Sequence, residues 1–212
     1  MLTKLKQWLS PSASTTHDHP GGHVDSGPDV NGQASSRALE SAREGDIDSF
    51  IEAVQRADAK GHSPWVLRDK AYLDTLRRAL EFTLHRQVWL QREQEHVEHW
   101  QGRLLALRHG DGPPLGMVLA CRPDDEAAWQ LRFFFISQEW KGSGHGARLL
   151  TAARLSLSGV PLQTRLPLGC HTAIQSLEAA GFQRMYVDAF EVASYEAPAQ
   201  WDVRQQHRRG FS

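Results

Sequence analysis

Cysteine is scarce in this chain. Cys121 and Cys170 are its only two, and neither has a second Cys or a His at zinc-ligand spacing. That excludes a disulfide framework and a structural zinc site, and the usage suits a reducing cytosol. Long apolar stretches are missing too: mean hydropathy is -0.50 and no run reaches the roughly 18 apolar residues a membrane-spanning helix needs. Charge of one sign is also lacking. Twenty-four basic residues face 25 acidic ones among 212 positions, which removes the overall positive field that nucleic-acid binding draws on. An apolar share of 40% still supports one sizeable core, and the length suits one domain with tails better than two domains.

What is present is unevenly spread. Residues 10–36 hold three Pro, four Gly and six Ser, with Ala13, Val24, Val30 and Ala34 as their only apolar side chains. So little burial cannot offset the entropy of ordering, which predicts a disordered arm over residues 1–36. At its start Leu2, Leu5, Trp8 and Leu9 share one helical face, with Lys4 and Lys6 on the other. Nine residues are marginal for an isolated helix, so this start either frays or docks on a surface. No apolar core follows the lysines, so it does not read as a signal peptide. His17, His19 and His23 lie in this arm without preformed geometry, and no metal is expected there or elsewhere. Residues 197–212 read as a basic C-terminal tail.

Between these ends, residues 37–196 carry dense hydrophobic patterning. Arg37 to Ala42 predicts a short opening strand. Asp46 starts a helix with Ile47, Phe50, Ile51 and Val54 on its inner face. Asp69 starts a second helix that continues through Leu73, Leu76, Leu80 and Leu84 to about residue 86; Val88-Trp89-Leu90 reads as helix or strand. Strands follow at Leu104–Arg108, Leu115–Cys121 and Trp129–Ile136, parted by the turn chemistry of Asp111-Gly112-Pro113-Pro114 and Arg122-Pro123-Asp124-Asp125. The run WQLRFFFI is apolar on both faces, as suits a central strand covered on both sides. A helix over Ala147–Ser156, a strand over Pro161–Leu166 and a helix over Thr172–Ala180 closed by Gly181 come next. One or two strands over Phe182–Val192 finish the domain.

The segment Trp140-Lys141-Gly142-Ser143-Gly144-His145-Gly146 joins a strand to a helix. Its alternate glycines let a backbone approach a ligand closely, and the helix start behind it adds positive potential, so the loop suits an anion. From Trp140 to Leu177 there is no Asp or Glu, whereas Lys141, Arg148, Arg154 and Arg165 are positive. A nucleoside triphosphate loop would need the lysine after the glycines. A dinucleotide site would need an acidic residue about 20 positions on, and none stands there.

The loop resembles the pyrophosphate-binding signature of the GNAT superfamily of acyl-CoA-dependent N-acetyltransferases, which runs Arg or Gln, two residues, Gly, one residue, Gly or Ala. Lys141-Gly142-Ser143-Gly144-His145-Gly146 fits it with Lys in first place. A second family motif, Asn-x-x-Ala-x-x-x-Tyr-x-x-x-Gly-Phe, is similar to Cys170 through Phe182. Ala173, Gly181 and Phe182 keep their places, while Cys170 and Leu177 replace the Asn and the Tyr. The resemblance covers about residues 37–195. It implies an α/β (α+β) fold with a mixed, mostly antiparallel central sheet, helices on both faces and a splay between the fourth and fifth strands.

The same resemblance implies direct transfer of an acetyl group from acetyl-CoA, as co-substrate, to a primary amine of a small molecule or protein, in the cytoplasm. Phe135, Ile136 and Ser137 would present main-chain N–H groups to the pantetheine and thioester. Lys141, Gly142, Ser143, Gly144, His145 and Gly146 would hold the pyrophosphate, with His171 as a further phosphate neighbour. The family's general base falls at Gln130 and its general acid at Leu177, neither of which ionises. Glu93, Glu95, Glu126, His96 and His99 are left as candidate bases, and no catalytic residue is selected. Trp140 would pack the loop against the core. No nucleic acid and no membrane span are expected, and a homodimer is left open. The other reading is an acyl-CoA-binding module without turnover, docked to a partner through its arm.

Overall fold

A computed structural model describes residues 39–67, 69–93 and 96–200. The arm over 1–36 with its amphipathic start, Glu95 and most of the basic tail lie outside the described residues. The elements are β1 (Glu40–Ser41), α1 (Asp46–Asp58), α2 (Lys70–Arg86), β2 (Val88–Glu93), β3 (His96–Arg108), β4 (Pro114–Arg122), β5 (Trp129–Ile136), α3 (His145–Ser156), β6 (Leu162–Pro167), α4 (His171–Ala179), β7 (Gln183–Val187) and β8 (Val192–Ala197). A 3-10 turn over Gln138–Trp140 leads into the glycine loop.

The strands form one eight-stranded sheet in the order β1-β3-β4-β5-β6-β8-β7, with β2 paired to β3. Every pairing is antiparallel except β5 with β6. Helices cover both faces. Leu149, Leu150 and Ala153 of α3 and Leu177 of α4 pack on one face with Trp129, Leu131 and Tyr195. Ile47, Phe50, Ile51 and Val54 of α1 and Leu76 and Leu80 of α2 pack on the other with Met117, Leu119 and Cys121. The α1 residues fall one helical turn apart, which is the spacing that buries a single stripe. Each fully buried side chain of this size contributes about 1.5–3 kcal/mol.

Helix starts behave as their residues dictate. Asp69 is extended and its carboxylate accepts the Tyr72 N–H at 3.1 Å. Asp46 is buried and does more. It accepts the Arg43 N–H at 2.6 Å and a guanidinium N–H of Arg108, whose other arm donates to Gly112 O at 2.9 Å. These side chains are 7% and 3% exposed. Asp46→Ala strands a buried guanidinium, so urea unfolding should show a loss of about 3–5 kcal/mol.

Val88–Leu90 resolves as strand, and β3 begins eight residues before the expected Leu104. The reason is exposure: His96, Val97, Glu98 and His99 all face solvent, so the first half of β3 shows no apolar alternation. The opening strand shrinks to Glu40–Ser41, and the closing segment is two strands, the second of which starts at Val192, where the expected range ended, and runs to Ala197.

The run WQLRFFFI is β5 as expected, but its two apolar faces have a local cause. Leu119 pairs with Phe133 and Ala120 with Leu131, which leaves Arg132 as an extra residue in β5. Such a bulge switches the alternation of side chains and increases the local twist. Trp129 and Leu131 accordingly face the α3–α4 side. Beyond the bulge that side receives Phe134 and Ile136, and Phe133 and Phe135 turn to α1. The pairing of β5 with β6 stops at the same place. It runs Trp129↔Leu162, Gln130↔Gln163 and Leu131↔Thr164, then the strands part although both continue. This is the expected splay.

Candidate active site

The parting strands open a cleft of about 660 Å³. Its floor is Phe133, Phe134, Phe135 and Ile136, which are half-buried because no neighbouring strand covers that edge. One wall is the stripe Ala53, Arg56, Ala57 and Lys60, which runs along α1 and just past its end. The opposite wall comes from Thr164–Leu166 of β6 and the start of α4. Phe50 fixes α1 over the floor, with its ring edge-on to Phe133 and Phe135 at centroid distances of 5.4 and 5.9 Å. His62 follows α1 and approaches the far wall: its Nε2 lies 3.6 Å from where a Cβ on Gly169 would stand.

The glycine loop closes one end. Gly142 and Gly144 have φ of +80° and +75°, and a Cβ at either would meet nothing within 4 Å. The backbone angle favours glycine, and the open space in front leaves room for a ligand to approach the backbone. Gly144 caps α3, so the first N–H groups of that helix lie behind the loop. Gly146 serves packing instead: a Cβ there would lie 2.3 Å from Ser176 Oγ, so it is what lets α3 and α4 approach.

Of the nine residues expected from the sequence, seven line the cleft: Phe135, Ile136, Lys141, Gly142, Gly144, His145 and Gly146. Ser137 and Ser143 do not. The Ser137 N–H donates to Leu115 O at 2.8 Å and its hydroxyl to Pro114 O at 2.8 Å; the Ser143 hydroxyl donates to Trp140 O at 2.6 Å. Alternation from Ser137 turns the N–H groups of Phe135 and Phe133 toward β4 and those of Ile136 and Phe134 toward the opening. Trp140 is 41% exposed, so it does not pack on the core. Its ring meets His145 edge-on at 5.5 Å, and His145 Nδ1 lies 3.2 Å from an Arg148 guanidinium nitrogen. His171 begins α4 and lines the cleft.

The expected base and acid positions fall elsewhere. Gln130 is not among the lining residues, and its side-chain oxygen accepts from Arg132 at 3.2 Å. Arg132 occupies the inner end of the cleft, donating also to buried Gln91. Leu177 is fully buried. Glu126, His96 and His99 are exposed and line no part of the cleft. The sequence reading missed Arg56, Lys60, His62 and Arg132, because Arg56 lies on a helix face and Lys60 and His62 in the turn after it, all reading as solvated surface, and Arg132 belongs to a bulge.

Electrostatically the cleft is one-sided, with Arg56, Lys60, Arg132, Lys141 and Arg165 and no Asp or Glu among its described lining residues. Arg165 is paired with Asp188 at 2.6 Å. Desolvation, then the charges of Lys60 and Arg56, lower the Lys141 ammonium pKa. Burial pushes the Cys121 thiol up to about 12 and raises that of Cys170, so neither is poised as a nucleophile.

Neither a family model nor a curated protein matches the sequence. Solved structures do. Spermidine N-acetyltransferase from Vibrio cholerae, in complex with CoA and spermine, superposes with a TM-score of 0.55 at 12% identity, over 76% of this chain and 95% of that one. An aminoglycoside acetyltransferase in complex with ribostamycin and coenzyme A gives 0.51 at 16% identity, over 82% and 97%. A domain from Methanocaldococcus jannaschii gives 0.51 at 11%, over 76% and 96%. With the bulged strand, the splay and the glycine loop in place, the chain has the fold of the GNAT acetyltransferases.

Proposed function

We propose that this protein is an N-acetyltransferase that uses acetyl-CoA to acetylate a primary amine, with residues 37–196 as its transferase domain between the arm and the basic tail. The observation that carries the reading is the cleft itself. It opens where β5 leaves β6 and ends at two positive-φ glycines on a helix start.

The residues fit acetyl-CoA as co-substrate. Gly142 and Gly144 leave space in front of the loop backbone, and the loop and first-turn N–H groups of α3 suit a pyrophosphate. Lys141 adds a positive charge beside them, and His145 and His171 stand within the same cleft. The apolar floor of Phe133–Ile136 suits the pantetheine arm. When bound, acetyl-CoA supplies an activated acetyl group on a thiol that leaves as thiolate.

The chain's part is positioning and polarisation. The N–H groups of Phe134 and Ile136 face the opening and are free of β4, so one of them serves the developing oxyanion. This replaces Phe135 and Ser137 in that role, since the N–H groups of both turn toward β4. Phe133 and Phe135 under α1 exclude water from one side of the reacting centre. Among the described lining residues no carboxylate stands ready to remove the amine's proton, so the amine must react in its neutral form. The cationic wall favours that form, as it does at Lys141.

Thiol release from acetyl-CoA by the full chain, measured across a panel of primary amines, tests the proposal. Amine-dependent release with acetylated product by mass spectrometry is the expected result. Coenzyme A binding without release from any amine would favour the binding-module reading.

A further inference from the structure

The two faces of the sheet contribute differently to the cleft. The glycine loop and α3 belong to one face of the sheet, where α3 packs with α4. Arg56 belongs to α1 and Lys60 stands just past its end, and α1 packs on the other face over Phe133 and Phe135. With the loop side given to the cofactor's phosphates, the acceptor amine approaches from the α1 side. The side chains that border it there are Arg56 and Lys60, four residues apart and near enough to Lys141 for their charges to act on it.

Nothing in the described lining answers these charges. Among the described residues Arg56 pairs with Glu52 alone, at 3.5 Å, one turn back on the exposed surface of α1. Among the described residues no carboxylate lies within ion-pair distance of Lys60 or Lys141. Like charges gathered on a concave wall raise the local concentration of anions and repel cations. Spermine and ribostamycin, present in the two similar structures, are amine-rich and cationic, and a wall of this charge repels such molecules. A wall of this kind is satisfied by an anionic oxygen on the acceptor.

We infer that the acceptor is a small amine that also carries an anionic carboxylate or phosphate, held by Arg56 and Lys60 while its amino group meets the thioester. This rests on the acetyltransferase reading above. The acetyl carbon–sulfur bond breaks, a carbon–nitrogen bond forms, the sulfur leaves as thiolate and the amine proton passes to water.

The test compares amines in the full chain, each rate corrected for the amine's neutral fraction: 4-aminobutanoate with butylamine, and O-phosphoethanolamine with ethanolamine, beside spermidine. At least one anionic member should exceed its neutral counterpart in kcat/KM by about tenfold or more, the worth of one or two charge-assisted hydrogen bonds. Which pair shows it separates carboxylate from phosphate. The double variant Arg56→Gln with Lys60→Gln alters exposed side chains only, and its thermal melt checks the fold. It should bring the preference to about unity, while KM for acetyl-CoA changes less than about twofold. Preference for spermidine, or equal rates within both pairs, would overturn the inference. So would a variant whose defect lies in acetyl-CoA KM, because the cations would then serve the cofactor. Coenzyme A binding with no turnover of the anionic amines counts against it equally. Failure to bind coenzyme A at all would instead sink the acetyltransferase reading.

Discussion

Gly144→Val is expected to abolish coenzyme A binding, weakening it by about a hundredfold or more as charge-assisted hydrogen bonds to the loop are lost. Gly144 sits at φ +75° with open space where a side chain would stand. A β-branched residue there adds strain of about 1–3 kcal/mol and fills the approach to the N–H groups. Strain alone predicts a less stable protein that still binds, so a control is needed. Gly159 has φ +99° and equally open surroundings but does not line the cleft. Gly159→Val should lose comparable stability and keep its affinity. Titration calorimetry with a thermal melt of each variant separates the effects. Unchanged affinity in Gly144→Val would remove the loop from the cofactor site.

The second large effect is on pH. With Arg132 at the inner end of the cleft and no carboxylate in its described lining, kcat/KM should follow the free amine's own ionisation. An amine of pKa about 10.4 is mostly protonated near neutrality, and its neutral fraction grows about tenfold per unit. The rate should therefore climb at unit slope from about pH 7 to 9. The sign is fixed: the reactive form is the deprotonated one, so alkali raises the rate. Gln130→Glu should leave the profile unaltered, because position 130 faces Arg132 rather than the cleft. A plateau below about pH 8 would reveal an embedded base, and His62, which reaches toward Gly169 across the cleft, is the first residue to replace.

Much of this architecture was legible because it follows local rules. Asp69 announces α2 by the geometry of its own carboxylate, and Ile47, Phe50, Ile51 and Val54 announce the inner face of α1 by spacing. The glycine loop was legible for the same reason, since a positive φ and a close approach both demand glycine. What escaped depends on pairing at a distance. The bulge at Arg132 arises from register with β4, which no window of sequence contains. It moves Arg132 rather than Gln130 into the cleft and turns different N–H groups toward the opening. Ser137 looked available until its partners on β4 were seen. Arg56, Lys60 and His62 read as ordinary polar surface until α1 was laid over β5. The exposed start of β3 was hidden because its polar residues carry no alternation.

A structure of the full chain with coenzyme A tests the central claim most directly. The account predicts the pyrophosphate on the N–H groups of Gly142 to Gly146 and the start of α3, with the sulfur beside Phe134 and Ile136 where β5 has left β6. Coenzyme A bound outside this cleft, or a cleft still empty at saturating ligand, would contradict it.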